Sequence, residues 1–280
     1  MRRKLNLALH GGLLGISYLS LGVSLIALFA ILIYISFNGG SHLSWDFLFG
    51  AYTSSNISIL PALVGTLELV FFSLLFAFPL GLASAVFLSE YAKSEKWYVT
   101  IIRVCFETLS GIPSIVYGLF GYLVFTVSFG WNYSLMGGSL TLAIMILPLI
   151  VRGCEEAFRA VPQNLREGSY ALGTNKVKTI FRVVLPSAIP GILTSLLLSV
   201  GRVLSESAVL ILTIGMVTNK IPASPMDSGT SLALDIYYFA NFGHIDEAFA
   251  TSFVLLILIL IFNGASLLVS RIYQKKKGLV

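Results

Sequence analysis

Charge is scarce in this sequence. Of 280 residues, 11% are Asp, Glu, Lys or Arg, against about 25% in an ordinary soluble domain. Cysteine and histidine are scarce too: Cys105 and Cys154, and His10, His42 and His244. Two isolated thiols make no disulfide framework. Histidines spread over separate segments make no His-Glu-x-x-His zinc site. No lysine follows a glycine, so the nucleotide-binding P-loop is missing, and so is the Gly-x-Ser-x-Gly nucleophile elbow. Low-complexity tracts and a convincing internal repeat are absent as well. These absences speak against a disordered chain, a nucleic-acid-binding domain and a typical cytosolic enzyme. No catalytic residue, metal ligand or cofactor is expected. The excess is apolar: 56% of residues are hydrophobic and the mean hydropathy is +0.90. One soluble core cannot hide so much apolar surface, so lipid is the expected solvent.

A membrane-crossing helix needs about 20 mostly apolar residues. Six runs approach that length: Gly15–Ser36; Ala62–Ser89, interrupted by Glu68 and carrying Pro79; Glu107–Phe129, with Pro113 early; the short Ser139–Val151, with Pro148; Ile189–Ile214, interrupted by Arg202 and Glu206; and Ala248–Val269. Six crossings place both termini on one side. Sixteen of the 18 Lys and Arg residues then share that side: Arg2, Arg3 and Lys4; Lys93, Lys96 and Arg103; Arg152, Arg159, Arg166, Lys176, Lys178 and Arg182; and Arg271 with Lys275, Lys276 and Lys277. Lys220 is on the other side and Arg202 is inside a span. The positive-inside rule makes the basic side cytoplasmic, so both cysteines are expected as reduced thiols there. The first run is too long for a signal-peptide core and no Ala-x-Ala site follows, so it reads as a permanent anchor. Arg103 and Glu107, four residues apart at the cytoplasmic end of span three, read as a snorkelling surface pair.

The longest stretch on the basic side, residues 152–188, contains Asn164, a candidate N-cap with Glu167 three residues on, and Gly173, placed to end the helix. A short amphipathic helix is expected there, then a second basic helix over Lys176–Arg182, then Leu185-Pro186 leading to span five. The order Glu167-Gly168-Ser169, three residues, Gly173, nine residues, Val183, one residue, Leu185-Pro186 resembles the EAA loop of ABC-transporter permeases, Glu-Ala-Ala-x3-Gly-x9-Ile-x-Leu-Pro. It departs from that pattern at Gly168, Ser169 and Val183. The resemblance implies that Glu167, Gly168, Ser169, Gly173, Leu185 and Pro186 belong to a coupling helix that docks on a separate ATPase subunit. An ordinary surface helix is the plainer alternative.

An arginine at mid-span is disfavoured by about 2.5–3.5 kcal/mol on insertion scales. On a continuous helix Ser195, Ser199, Arg202 and Glu206 share one face, giving a polar stripe turned to a bundle interior or a water-filled path. An arginine fork suits a planar or tetrahedral oxyanion; a packing salt bridge is the alternative. Glu68 reads equally as a counter-ion for Arg202 or as a packing residue. The segment Gly201-Arg202-Val203-Leu204-Ser205-Glu206-Ser207-Ala208 resembles Gly-Arg-Ala-x-Gly-Glu-Thr-Ala of phosphate-importer permeases, and residues 107–121 resemble their third span.

The likeness covers residues 61–271 and is nearest the PstA-type permeases. It implies an all-α polytopic protein with six transmembrane helices and the type I ABC importer (MetI-like) fold. The expected division is an anchor over 1–60, a permease core over 61–271 with its coupling loop at 155–186, and a basic tail over 272–280. The implied partners are a second permease, two ATPases and an extracellular phosphate-binding protein. The setting is a bacterial or archaeal inner membrane, and inorganic phosphate would pass along Arg202, Glu206, Ser199 and Glu68. A permease for another solute, an ion-driven carrier and an intramembrane enzyme are the rival readings.

Overall fold

The computed structural model describes residues 2–53, 56–92 and 96–276. Lys93, Lys277 and the end of the basic tail lie outside them. Twelve helices follow in order among the described residues: α1 Arg2–Gly40, α2 Trp45–Phe49, α3 Leu60–Val86, α4 Trp97–Ser110, α5 Ser114–Gly121, α6 Leu135–Arg159, α7 Gln163–Ala171, α8 Lys176–Thr179, α9 Leu185–Leu204, α10 Ala208–Thr213, α11 Leu232–Asn241 and α12 Ile245–Lys276. No strand occurs among these residues; Thr53 and Asn56 form a single isolated bridge.

Five stretches are long and apolar enough to cross a bilayer: Gly12–Gly40, Leu60–Tyr91, Leu135–Arg159, Lys176–Leu204 and Ile245–Tyr273. The sixth expected span is a bent pair, Trp97–Ser110 followed by Ser114–Ser128 at 96°. Span three is therefore not the continuous Glu107–Phe129 helix. Pro113 has no N–H and disfavours helical geometry at Ile112, so α4 stops at Ser110 and α5 starts afresh. Span four is longer than Ser139–Val151, because the helix carries on through Arg152, Glu155, Glu156 and Arg159, with Pro148 inside it. Span five also differs. The separate basic helix expected over Lys176–Arg182 merges with α9 through wide turns at Ile180–Val184, and α9 ends at Leu204, ten residues short of Ile214. Similar wide i→i+5 turns close α3, where the Ala92 N–H reaches Phe87 O, and follow α5, where the Phe129 N–H reaches Val124 O.

The core lies along α6. Parallel α3 packs against it with Gly81 seated on Ile150, and the buried side chains Leu69, Leu142, Ile146 and Ile150 fill the seam. Helix α9 meets α6 where Gly153 faces Ser195, with no room for a Cβ between them. Helix α5 approaches α10 as closely: a Cβ on Gly118 would stand 3.0 Å from Val209 Cα. Near the opposite end Ile214 seats on Gly138. Helix α1 stands apart. From Leu13 onward most of its apolar side chains are exposed, and it meets α12 near Gly39, which abuts Phe249 and Phe253.

Charged side chains knit the basic end. Arg103 of α4 donates to Glu155 of α6 at 2.9 Å, and Arg159 pairs with the same carboxylate at 2.7 Å. Arg152 donates to Glu107 at 2.7 Å. Arg103 and Glu107 are thus not a pair with each other. Both lie on α4 ahead of the bend, and each ties that helix to α6.

Candidate functional site: a broken helix at mid-depth and an elbow at the basic end

Helix α9 breaks at Ser205–Ser207. The Ser205 hydroxyl folds back onto Gly201 O at 3.0 Å, sharing that carbonyl with its own N–H at 3.2 Å. Glu206 then serves both halves. Its Oε1 accepts the Val209 N–H at 3.3 Å, capping α10, and its Oε2 stands 3.5 Å from Arg202 Nη2. The depth follows from the flanking contacts. Ser195 lies level with Gly153 and Ile214 level with Gly138, two points of α6 about 22 Å apart at 1.5 Å per residue. Arg202, seven residues past Ser195, is about 10 Å above the lower contact, near mid-depth.

The expected single stripe does not survive this geometry. Ser195 and Ser199 are 3% and 0% exposed, packed within the chain's own helices, and the Ser199 hydroxyl is spent on Ser195 O at 2.9 Å. The Glu206 side chain is 5% exposed, whereas Arg202 is 49% exposed. Only the guanidinium opens outward, because α9 ends there and Glu206 turns back to cap α10. Glu68 is not the counter-ion of Arg202. That partner is Glu206, while Glu68 Oε2 is buried without a hydrogen-bond partner.

The elbow at the basic end is built from α7 and α8. Asn164 does not cap α7. Pro162, extended at φ −58° and ψ 139°, starts the helix at Gln163, and no side chain caps it. Gly173 does end it, at φ +76°, a conformation that favours glycine. Glu167, Gly168 and Leu172 are exposed, Leu172 at 85%, whereas Ser169 is buried and Leu185 packs on the main core. Arg166 reaches inward to Glu90 at 2.7 Å. Beside this pair is a cleft of about 550 Å³ lined by Glu90, Arg159, Gln163, Arg166, Tyr170 and Lys176. Sequence reasoning passed over Glu90. Its signal is an acid closing a long apolar run on the side where the basic residues gather.

Between α10 and α12, outside the spanning stretches, Asp235 is fully buried. Its Oδ1 accepts the Thr230 hydroxyl and its Oδ2 has no partner. Burial pushes this carboxyl up to about 7, opposed by the Thr230 bond.

Residues 77–277 match the family described as binding-protein-dependent transport system inner membrane component. The probable ABC transporter permease protein YqgI of Bacillus subtilis (strain 168) is 37% identical, aligned over 98% of this chain and 99% of its own. The phosphate transport system permease protein PstA 1 of Mycobacterium tuberculosis (strain CDC 1551 / Oshkosh) is 43% identical over 55% of this chain and 50% of its own. Among solved structures, a chain of the MetNI methionine ABC transporter superposes with a TM-score of 0.65 at 22% identity, covering 77% of this chain and 95% of that one. A chain of the bacterial alginate ABC transporter does so with 0.63 at 18% identity, covering 88% and 90%. Both share the fold. The chain therefore belongs to the inner-membrane component family of binding-protein-dependent transport systems, with the MetI-like fold: it is a permease subunit of an ABC transporter, not an enzyme, and ATP is hydrolysed in a separate subunit.

Proposed function

We propose that this permease imports an oxyanion, inorganic phosphate before others, along a path it forms with a second permease. The observation that carries this reading is Arg202, a half-exposed guanidinium at mid-depth whose only ion-pair partner among the described residues stands 3.5 Å away. An arginine open to hydrocarbon is unfavourable, so this surface calls for a covering partner subunit and a wet path between the two. Phosphate displaces Glu206 from one side of the fork and lowers its own barrier by doing so. Glu206, held by α10, retakes the guanidinium when the anion leaves. Ser199 and Glu68 act as supports behind the path and do not line it. The PstA relatives support phosphate as the solute.

The basic end faces the cytoplasm in this reading, with both termini there. The anchor over 1–60, the core over 61–271 and the tail over 272–280 divide the chain. One of two ATPases grips the elbow through Glu167, Gly168 and the turn at Gly173, with Ser169, Leu185 and Pro186 holding its inner side. An external phosphate-binding protein delivers the solute at the other end. The test is Arg202→Gln in the purified complex reconstituted into vesicles. Uptake of labelled phosphate should vanish with assembly and ATPase binding intact. Uptake at the wild-type rate refutes the role, and competition by molybdate or sulfate that outruns phosphate refutes the choice of anion.

A further inference from the structure

Two polar joints hold the elbow to the spans. The first is Arg166, whose side chain is 12% exposed while that of Glu90 is 6% exposed. Its Nη2 donates to Glu90 Oε1 at 2.7 Å and to Phe158 O at 2.8 Å, its Nη1 to Val161 O at 2.7 Å, and its Nε to Glu90 Oε1 at 3.3 Å. Glu90 closes α3, Phe158 is in the last turn of α6, and Val161 follows that turn. One guanidinium thus ties α7 to the ends of two packed spans. The second joint is a triangle of hydroxyls: Ser169 to Thr174 at 2.6 Å, Ser169 to Thr179 at 2.9 Å and Thr174 to Thr179 at 3.0 Å. Ser169 and Thr179 are buried. This triangle ties the end of α7 to α8, which runs on into α9 and Arg202.

The joints lead to different helices of one packed core. Arg166 grips the α3–α6 pair, and the triangle grips the helix that carries the guanidinium. The outward side of α7, with Leu165, Glu167 and Leu172, is bare. A charge-assisted fork sheltered from water is short and stiff, so α7 cannot shift without dragging α3 and α6 along. We infer that Glu90 and Arg166 are positioning residues that convert a displacement of α7 into movement of α3 and α6, while the Ser169–Thr174–Thr179 triangle delivers the same displacement to α9. This rests on the reading of the chain as one half of an ATP-driven importer. A broken first joint leaves the ATPases able to turn over while the movement passed to α3 and α6 is weakened.

The test uses the purified full complex in proteoliposomes and measures labelled phosphate imported per ATP hydrolysed. Glu90→Gln keeps size and one acceptor but loses the charge; Arg166→Gln is its counterpart. Each should lower the ratio about five-fold or more, with Glu90→Asp restoring part of it. A fault of folding alone lowers both rates together and leaves the ratio untouched, and that result overturns the inference. So does a wild-type ratio in Glu90→Gln, which decides the matter if Arg166→Gln fails to assemble. A second readout is independent of the solute: a spin label on Leu80→Cys in a Cys105→Ser background, followed on trapping with ATP and vanadate. The label should respond in the parent and fall silent with Glu90→Gln. A parent complex that hydrolyses ATP but imports no phosphate sinks the phosphate reading, and the label then decides the joint, with an equal response in both proteins overturning it.

Discussion

Replacing Asp235 with asparagine isolates a single proton. The carboxyl lies wholly inside the protein, accepts one bond from Thr230 and leaves Oδ2 unpartnered. The backbone around it is pinned, since the Leu232 N–H donates to Thr66 Oγ1 at 2.9 Å and the Leu234 N–H to Ser231 Oγ at 3.2 Å. Turning to water for relief would break those bonds. The folded group titrates near about 7, against an ordinary 3.8. A raised carboxyl favours the folded state while it is protonated. That stability is complete below about pH 4, fades as the pH climbs and is gone above about pH 7. Three units at about 1.4 kcal/mol each give a loss of about 4 kcal/mol across the window, about 3 of it above pH 5. Asparagine keeps the acceptor for Thr230 and cannot ionise. The unfolding midpoint of the purified complex, followed in detergent from about pH 5 to pH 8, should therefore fall in the parent relative to Asp235→Asn. The gap should open with rising pH, and the amides of α11 should exchange hydrogen faster in the parent at the alkaline end. Two curves that stay parallel over that range would refute the argument.

Two glycines give further outcomes. Gly153→Leu drives a side chain into Ser195 and pries α9 from α6; overpacking of this kind costs about 1–3 kcal/mol, and the yield of folded complex should drop, with partial recovery on adding Ser195→Ala. Gly173→Val forces a β-branched residue to φ +76°, a strain of about 1–2 kcal/mol. Faster proteolytic nicking of the elbow and a lower ratio of uptake to ATP hydrolysis should report it.

Spans one, two and six were legible because their apolar runs are long and almost free of charge. The middle three were not, and for one reason: hydropathy marks where lipid is tolerated, whereas helix ends answer to backbone chemistry and partners. Arg152 to Arg159 looked like a loop because they are charged, yet Glu155 and its two arginines let α6 continue. Pro113 looked like a tolerable kink, yet the chain turns through 96° there. Arg202 and Glu206 were found from their cost in lipid. The stripe drawn through Ser195 and Ser199 assumed a helix that did not stop, whereas α9 ends at Leu204 and Glu206 turns to cap α10. Pro162 set the start of α7 where Asn164 had seemed the cap. The Glu90–Arg166 joint joins residues 76 apart, and no local pattern reports such a pair.

The loneliness of α1 has a consequence for how freely it can change. Within this chain its apolar side chains from Gly12 onward are largely uncovered, and among the described residues its firm seat is at Gly39, with the Tyr34 ring edge-on to Phe249. Its helical form needs no neighbours, because hydrocarbon offers the backbone no competing partner for its hydrogen bonds. Almost any oily residue of similar bulk serves along that rod, whereas a bulkier residue at the seat would unmoor it. Drift should therefore be fast along its length and nearly frozen at its foot.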